Sequence, residues 1–186
     1  MRNLSLRYQR VGDAKRFFQI LTHPDFVLFP VNVKSIEEEK RFLRTNKEMR
    51  EKNFAHNYAI LLKNRIMGGI GLKIDQHRPH IGEVGYFVDR KHWGKGIAPK
   101  AVGMIEEIGF DTLGLERIEL VTLKQNRASI RVAEKCGYRR EGIQRHKHKQ
   151  DGRYYDVYLF AKVKSGSAAL STGPKHQKFR PVENAG

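Results

Sequence analysis

Apolar and polar residues alternate from Leu4 to Arg10 (LSLRYQR), as in a strand with one buried face. Asp13 then opens a helix whose apolar side carries Phe17, Phe18 and Leu21. HPDF and FPVN, between His23 and Asn32, read as loop. Ser35 and Glu38 form the S-x-x-E signature of a capping box, and the helix they start runs to about Arg50. NYAILLKNRIMGGIGLKID reads as two strands turning at Lys63-Asn64-Arg65, and IGEVGYFVD, from Ile81, as a third. Ile97, Ala101, Ile105 and Ile108 then recur at helical spacing until Gly114 closes the run. ERIELVTL (Glu116 to Leu123) is a strand and ASIRVAEKC a helix, with Asn126 before it and Gly137 after it. YRREGIQRHKHKQ and GRYYDVYLFAKVK make a last pair of strands. The predicted order is β-α-α-β-β-β-α-β-α-β-β, an α/β (α+β) domain with a mixed, mostly antiparallel sheet.

Composition adds bounds. At 186 residues, 39% hydrophobic with 10 Phe and 7 Tyr, the chain is long enough for one domain with a proper core. The domain spans residues 1–164. From Ser165 to Gly186 the sequence has too few large apolar residues to pack and predicts a basic, disordered tail. The N-terminus lacks the apolar core of a signal peptide and no run is long enough to span a bilayer, so no membrane association is expected. The single cysteine, Cys136, excludes an internal disulfide and reads as a small core residue. Cytoplasmic residence is the plain expectation. A formal charge of +16 favours polyanionic partners such as nucleotides, RNA or an acidic protein, and repels polyamines. High charge of this kind also serves solubility alone.

Within KHWGKGIAPK, Gly94 and Gly96 stand where a strand gives way to a helix. A helix N-terminus presents unpaired N–H groups and a partial positive charge, and small residues let an anion reach them. Gly94, Gly96 and Ala98 keep that approach bare, and Pro99 has no N–H to lose in a first turn. No Walker G-x-x-x-x-G-K-[ST] is present, and the third glycine of a G-x-G-x-x-G fingerprint would fall on Pro99. A glycine turn that merely joins strand to helix is the other reading of this stretch.

W-G-K-G-I-A (Trp93 to Ala98), followed by N-R-A-S-I-R-V-A-E-K-C-G-Y (Asn126 to Tyr138), resembles the GNAT superfamily of acyl-CoA N-acyltransferases. The resemblance extends from about Leu4 to Lys164 and is closest to the RimJ/RimL branch of ribosomal-protein N-terminal acetyltransferases. It implies a sheet whose central strands splay apart, flanked by helices, with acetyl-CoA as co-substrate and no metal. Tyr86, Phe87 and Val88 would offer main-chain groups to the pantetheine arm. Gly94, Lys95, Gly96, Ile97 and Ala98 would hold the pyrophosphate, and Asn126 would also touch the cofactor. Trp93 departs from the Gln or Arg usual at the start of the family loop.

The implied reaction is attack of a neutral amine on a thioester, with an acid for the leaving sulfur and a donor for the carbonyl oxygen. The Val88 N–H is the family's carbonyl donor. Many members place a tyrosine acid where this chain has Ala133, so that mechanism is unavailable. Ser129 matches the hydroxyl of the RimL-like branch, although Asn126 followed by Ser129 is also a good helix start. Glu83 stands where several members carry a glutamate base; a surface carboxylate paired with lysine is the other reading. Deprotonating a lysine at pH 7 costs about 4.6 kcal/mol and an α-amine only about 1, so an ill-defined base suits an α-amine acceptor. The resulting expectation is acetyl transfer to a protein α-amine, a ribosomal protein among the candidates. The acceptor would be chosen by residues Pro24 to Ser35 and the last hairpin. Small amines such as an antibiotic are the alternative. A basic RNA- or protein-binding module without turnover is the rival from another class, and no stacking motif supports it. Weak RNA or ribosome contact through the basic surface, and a monomer or homodimer, complete the expectation. His146 and His148 alternate on a predicted strand, but no third ligand accompanies them for a metal.

Overall fold

The computed structural model describes residues 3–26, 33–150 and 152–166. The elements are β1 (Leu4–Tyr8), α1 (Ala14–Leu21), α2 (Ile36–Glu51), β2 (Ala55–Leu62), β3 (Arg65–Ile74), β4 (Ile81–Val88), α3 (Ile97–Glu107), β5 (Arg117–Leu123), α4 (Arg127–Lys135), β6 (Arg139–Gln150) and β7 (Arg153–Val163). The strands form one seven-stranded sheet in the order β1-β2-β3-β4-β5-β7-β6. Every pairing is antiparallel except β4 with β5. The mixed, mostly antiparallel sheet flanked by helices is as the sequence predicts. Most of the proposed tail, residues 167–186, lies outside the described residues, as does 27–32 of the proposed acceptor segment. No helix among the described residues is long and apolar enough to cross a membrane.

Strand alternation supplies a core on each face of the sheet. On one face Ile97, Ala101, Val102 and Ile105 of α3 bury against Ile60, Ile70, Leu72 and Leu120. On the other, Phe17 and Leu21 of α1 and Leu43 of α2 bury with Ala59. Each fully buried aliphatic or Phe side chain contributes about 1.5–3 kcal/mol. Lys63 and Asn64 both take positive φ, +50° and +60°, the conformation that a two-residue hairpin turn of the right twist demands.

β4 and β5 are in register only over Ile81–Glu83 against Arg117–Glu119. Beyond that, β4 stays with β3 as far as Val88, and β5 stays with β7 as far as Leu123. The two central strands therefore diverge, each held by its outer neighbour.

Three local expectations are corrected. Asp13 holds the N-cap position of α1, but its side chain makes no capping bond there; its carboxylate accepts two bonds from the Arg7 guanidinium, at 3.0 and 2.9 Å, and one from the Arg10 N–H at 2.8 Å. Ser35 Oγ does accept from the Glu38 N–H at 3.1 Å, but Glu38 reaches back to the Lys34 N–H rather than to Ser35. In β6 the register slips between Gln144 and His148, and His146 has φ +51°. The bulge breaks alternation. The His146 ring stacks on Tyr154 and the His148 ring packs on Tyr155, neighbours that point to opposite faces of β7. The two histidines therefore cannot share a ligand.

Candidate active site

Where β4 and β5 part, a cleft of about 880 Å³ opens between Val84–Val88 and Leu120–Leu123. The first turns of α3 and α4 line it, as do Lys147 and His148 of β6. The main chain of β4 has a definite phase here. Antiparallel pairs alternate between bonded and non-bonded, and the Asp89 N–H donates to Met67 O. Phe87 accordingly spends its N–H and C=O on β3. Tyr86 and Val88 turn theirs to the side that β5 has left. The Val88 carbonyl, facing that side, accepts from Trp93 Nε1 at 2.6 Å. Phe87, the middle residue of the predicted set, has its ring edge-on to Phe17 on the opposite face of the sheet.

At one point on the cleft wall α3 begins. Gly94 and Gly96 have φ of +72° and +73°, left-handed backbone that side chains rarely adopt. Gly96 is the N-cap of α3 and no side chain caps the helix. The N–H groups of its first turn are thus left without a capping side chain. Gly94, Gly96, Ile97 and Ala98 line the cleft; Lys95 does not, and its side chain is exposed. Arg127, Arg131 and Lys135 of α4 supply positive charge on the same wall. An uncapped helix start, bare backbone and three cations fit a long, multiply anionic group such as a coenzyme A pyrophosphate.

The start of α4 holds the hydroxyls. Asn126 is its N-cap, and its Oδ1 accepts from the Ser129 N–H at 3.0 Å. That oxygen is therefore committed, which leaves the Asn126 side-chain NH₂ for the cleft. Ser129 Oγ lies 3.0 Å from the phenol oxygen of Tyr86, on the facing strand. Burial pushes the Tyr86 phenol up to about 12, with the Ser129 bond opposing. Ala133, one turn further along α4, is fully buried and adds no polar group.

Glu83 stands at the last residue of the β4–β5 ladder and lines the cleft. Its side chain keeps access to solvent, yet protein closes around it. Desolvation raises its pKa, Lys73 and then Lys147 draw it down, and Glu119 raises it further, leaving it above the ordinary glutamate value. A carboxyl of this kind is a better proton acceptor than a free surface glutamate.

Comparison with known proteins decides the family. A model of the acetyltransferase (GNAT) domain matches residues 3–139. The chain belongs to the GNAT acetyltransferase family. It is 28% identical to the uncharacterized N-acetyltransferase p20 of Bacillus licheniformis, over 87% of this chain and 93% of that one. It is 24% identical to the ribosomal-protein-serine acetyltransferase of Escherichia coli, over 84% of each chain. Its fold matches that of RimL, a ribosomal L7/L12 α-N-protein acetyltransferase solved with coenzyme A, at a TM-score of 0.79 and 21% identity, covering 88% of this chain and 95% of that one.

As a GNAT enzyme, an acyltransferase, the protein has several features that sequence reasoning did not find. Trp93 does more than replace a Gln or Arg: its indole ties the loop to Val88, and its ring lies 5.6 Å from that of Phe26. The sequence marks Tyr86 for its main-chain groups, and the structure adds its phenol, which meets Ser129. Lys147, on the strand whose register slips between Gln144 and His148, also lines the cleft, and residue alternation gives no signal of that. Cys136 is partly buried with its thiol pushed up to about 11, by burial first and Glu106 second, which keeps it protonated.

Proposed function

We propose that this enzyme transfers an acetyl group from acetyl-CoA to a protein α-amine, with ribosomal proteins as the leading acceptor class. One observation carries the reading: the parting of β4 and β5 opens a cleft that joins an uncapped helix start to a paired hydroxyl. Acetyl-CoA supplies an activated acyl thioester. The N–H groups of Gly94, Lys95, Gly96, Ile97 and Ala98 hold its pyrophosphate, with the Asn126 amide and the α4 cations beside them. The free groups of Tyr86 and Val88 lie along the pantetheine arm, and the Val88 N–H receives the carbonyl oxygen. Phe87 shapes the wall and lends no free donor.

Ser129 is assigned the proton that the departing sulfur needs. Glu83, directly or through water, receives the proton shed by the attacking amine. An α-amine needs little help at pH 7, which suits a single, partly solvated carboxylate. The relative named a ribosomal-protein-serine acetyltransferase and the structural neighbour that is a ribosomal L7/L12 α-N-protein acetyltransferase support the acceptor class, and the +16 charge suits an acidic partner.

The test is acetyl-CoA-dependent thiol release over a panel of peptides and small amines. Turnover on a peptide with a free N-terminus, lost when that terminus is blocked even with internal lysines present, is expected. Faster turnover on a small amine would move the acceptor to that class. Salt-dependent RNA binding with no coenzyme A binding would overturn the reading altogether.

A further inference from the structure

Ser129 Oγ has one hydrogen and two lone pairs, so the direction of its bond to Tyr86 decides what it can do. If serine donates to the phenol, its hydrogen is spent. If the phenol donates to serine, the Ser129 hydrogen is left to point elsewhere. We propose that Tyr86 is a positioning residue that donates to Ser129 Oγ and thereby turns the serine O–H towards the reacting sulfur. This rests on the assignment of Ser129 as the acid.

Three observations support the direction. A phenol is a stronger acid than an aliphatic alcohol, so it is the better donor and the serine oxygen the better acceptor. The phenol stays protonated, because burial holds its pKa at about 12. Ser129 Oγ is also the hydrogen-bond partner that the structure shows for the Tyr86 hydroxyl, so no competing acceptor among the described residues draws that proton away.

The backbone fixes the rest of the arrangement. Asn126 pins the Ser129 N–H, which holds the first turn of α4 in place. Tyr86 then sets the remaining freedom, rotation of the hydroxyl. Ala133, buried in the core, carries no oxygen, and Tyr86 and Ser129 both line the cleft.

In the step served, the amine nitrogen bonds to the acyl carbon and the carbon–sulfur bond breaks. The Ser129 proton passes to sulfur and serine regains one from solvent, while Glu83, directly or through water, takes the proton lost by nitrogen. Tyr86 keeps its own proton throughout and gains or loses nothing.

The experiment is a double-mutant cycle on kcat with Tyr86→Phe, Ser129→Ala and the pair, with coenzyme A affinity measured by calorimetry. Tyr86→Phe keeps the ring and removes one oxygen, and thermal melting of each variant verifies the fold. The expected result is a fall in kcat of about tenfold for Tyr86→Phe alone, with KM for acetyl-CoA and coenzyme A affinity within about twofold. In the Ser129→Ala background the same change should have almost no further effect. Ser129→Thr, which keeps a hydroxyl, should restore the sensitivity to Tyr86→Phe. Equal slowing by Tyr86→Phe in both backgrounds would show a packing role and overturn the inference. So would full activity of Tyr86→Phe beside a slowed Ser129→Ala, which leaves the acid assignment standing. Full activity of both would instead remove the assignment of Ser129 itself.

Discussion

The hydroxyls of Tyr86 and Ser129 lie 3.0 Å apart across the cleft, one on β4 and the other in the first turn of α4. Neither stands in the other's sequence neighbourhood, and the contact exists because β5 has moved away from β4 beyond Glu83.

Ser129→Ala should therefore lower kcat by about 10², the low end for loss of a general acid, while coenzyme A binding by calorimetry is nearly kept. The helix start survives the change, because the Asn126 cap uses the Ser129 backbone N–H and not its hydroxyl. Turnover within two- or threefold of wild type would hand the proton to water.

Gly96 needs a more careful test than bulk alone. Its φ of +73° penalises any β-branched residue whether or not an anion binds there. Gly96→Val should lose coenzyme A affinity and also melt lower, by an amount equivalent to about 1–2 kcal/mol. Gly96→Asn tolerates the left-handed backbone, so it should fold nearly as well and still bind coenzyme A more than tenfold more weakly. Calorimetry and melting on the pair separate the two causes; wild-type affinity in folded Gly96→Asn would remove the pyrophosphate assignment.

Glu83 links activity to pH and to stability with opposite signs. Its folded pKa is raised, so the folded chain binds more protons than the unfolded one between the ordinary glutamate value and the raised one. Stability from this group consequently falls as pH rises through that window. Glu83→Gln should melt higher than wild type at pH 7, with the difference closing below about pH 4. Its turnover should drop, since an amide cannot take a proton, and wild-type turnover should itself fall as pH is lowered through the raised pKa. A variant that melts higher and keeps full turnover would leave proton removal to water.

The charge of +16 makes a prediction about salt. A peptide with a free N-terminus and acidic residues after it should lose kcat/KM as salt rises from about 20 to 300 mM, because screening shortens the reach of attraction. Spermidine should be a poor acceptor, and poorest at low salt. Spermidine outperforming the peptide at low salt would contradict the acceptor class.

The succession of elements and the glycine turn before α3 were legible in the residues, because each depends on neighbours a few positions away. Apolar spacing marked the helices and strands, Ser35 and Asn126 marked two helix starts, and positive φ at Gly94 and Gly96 followed from the residues that tolerate it best. Asp13 was legible as the residue before α1, but not that its carboxylate would pair with the Arg7 guanidinium and the Arg10 N–H instead of capping the helix. Most residues of the candidate site were readable through family resemblance, as main-chain and side-chain positions one by one. Their meeting was not. Tyr86 and Ser129 are 43 residues apart, and only the divergence of β4 from β5 brings them face to face. The bulge at His146 likewise broke a simple alternation beside Lys147, which lines the cleft. Local torsions and caps are short-range energies that a sequence displays directly. Register, divergence and bulges depend on which strand keeps its hydrogen-bonded partner, and that competition is resolved only when the whole sheet assembles.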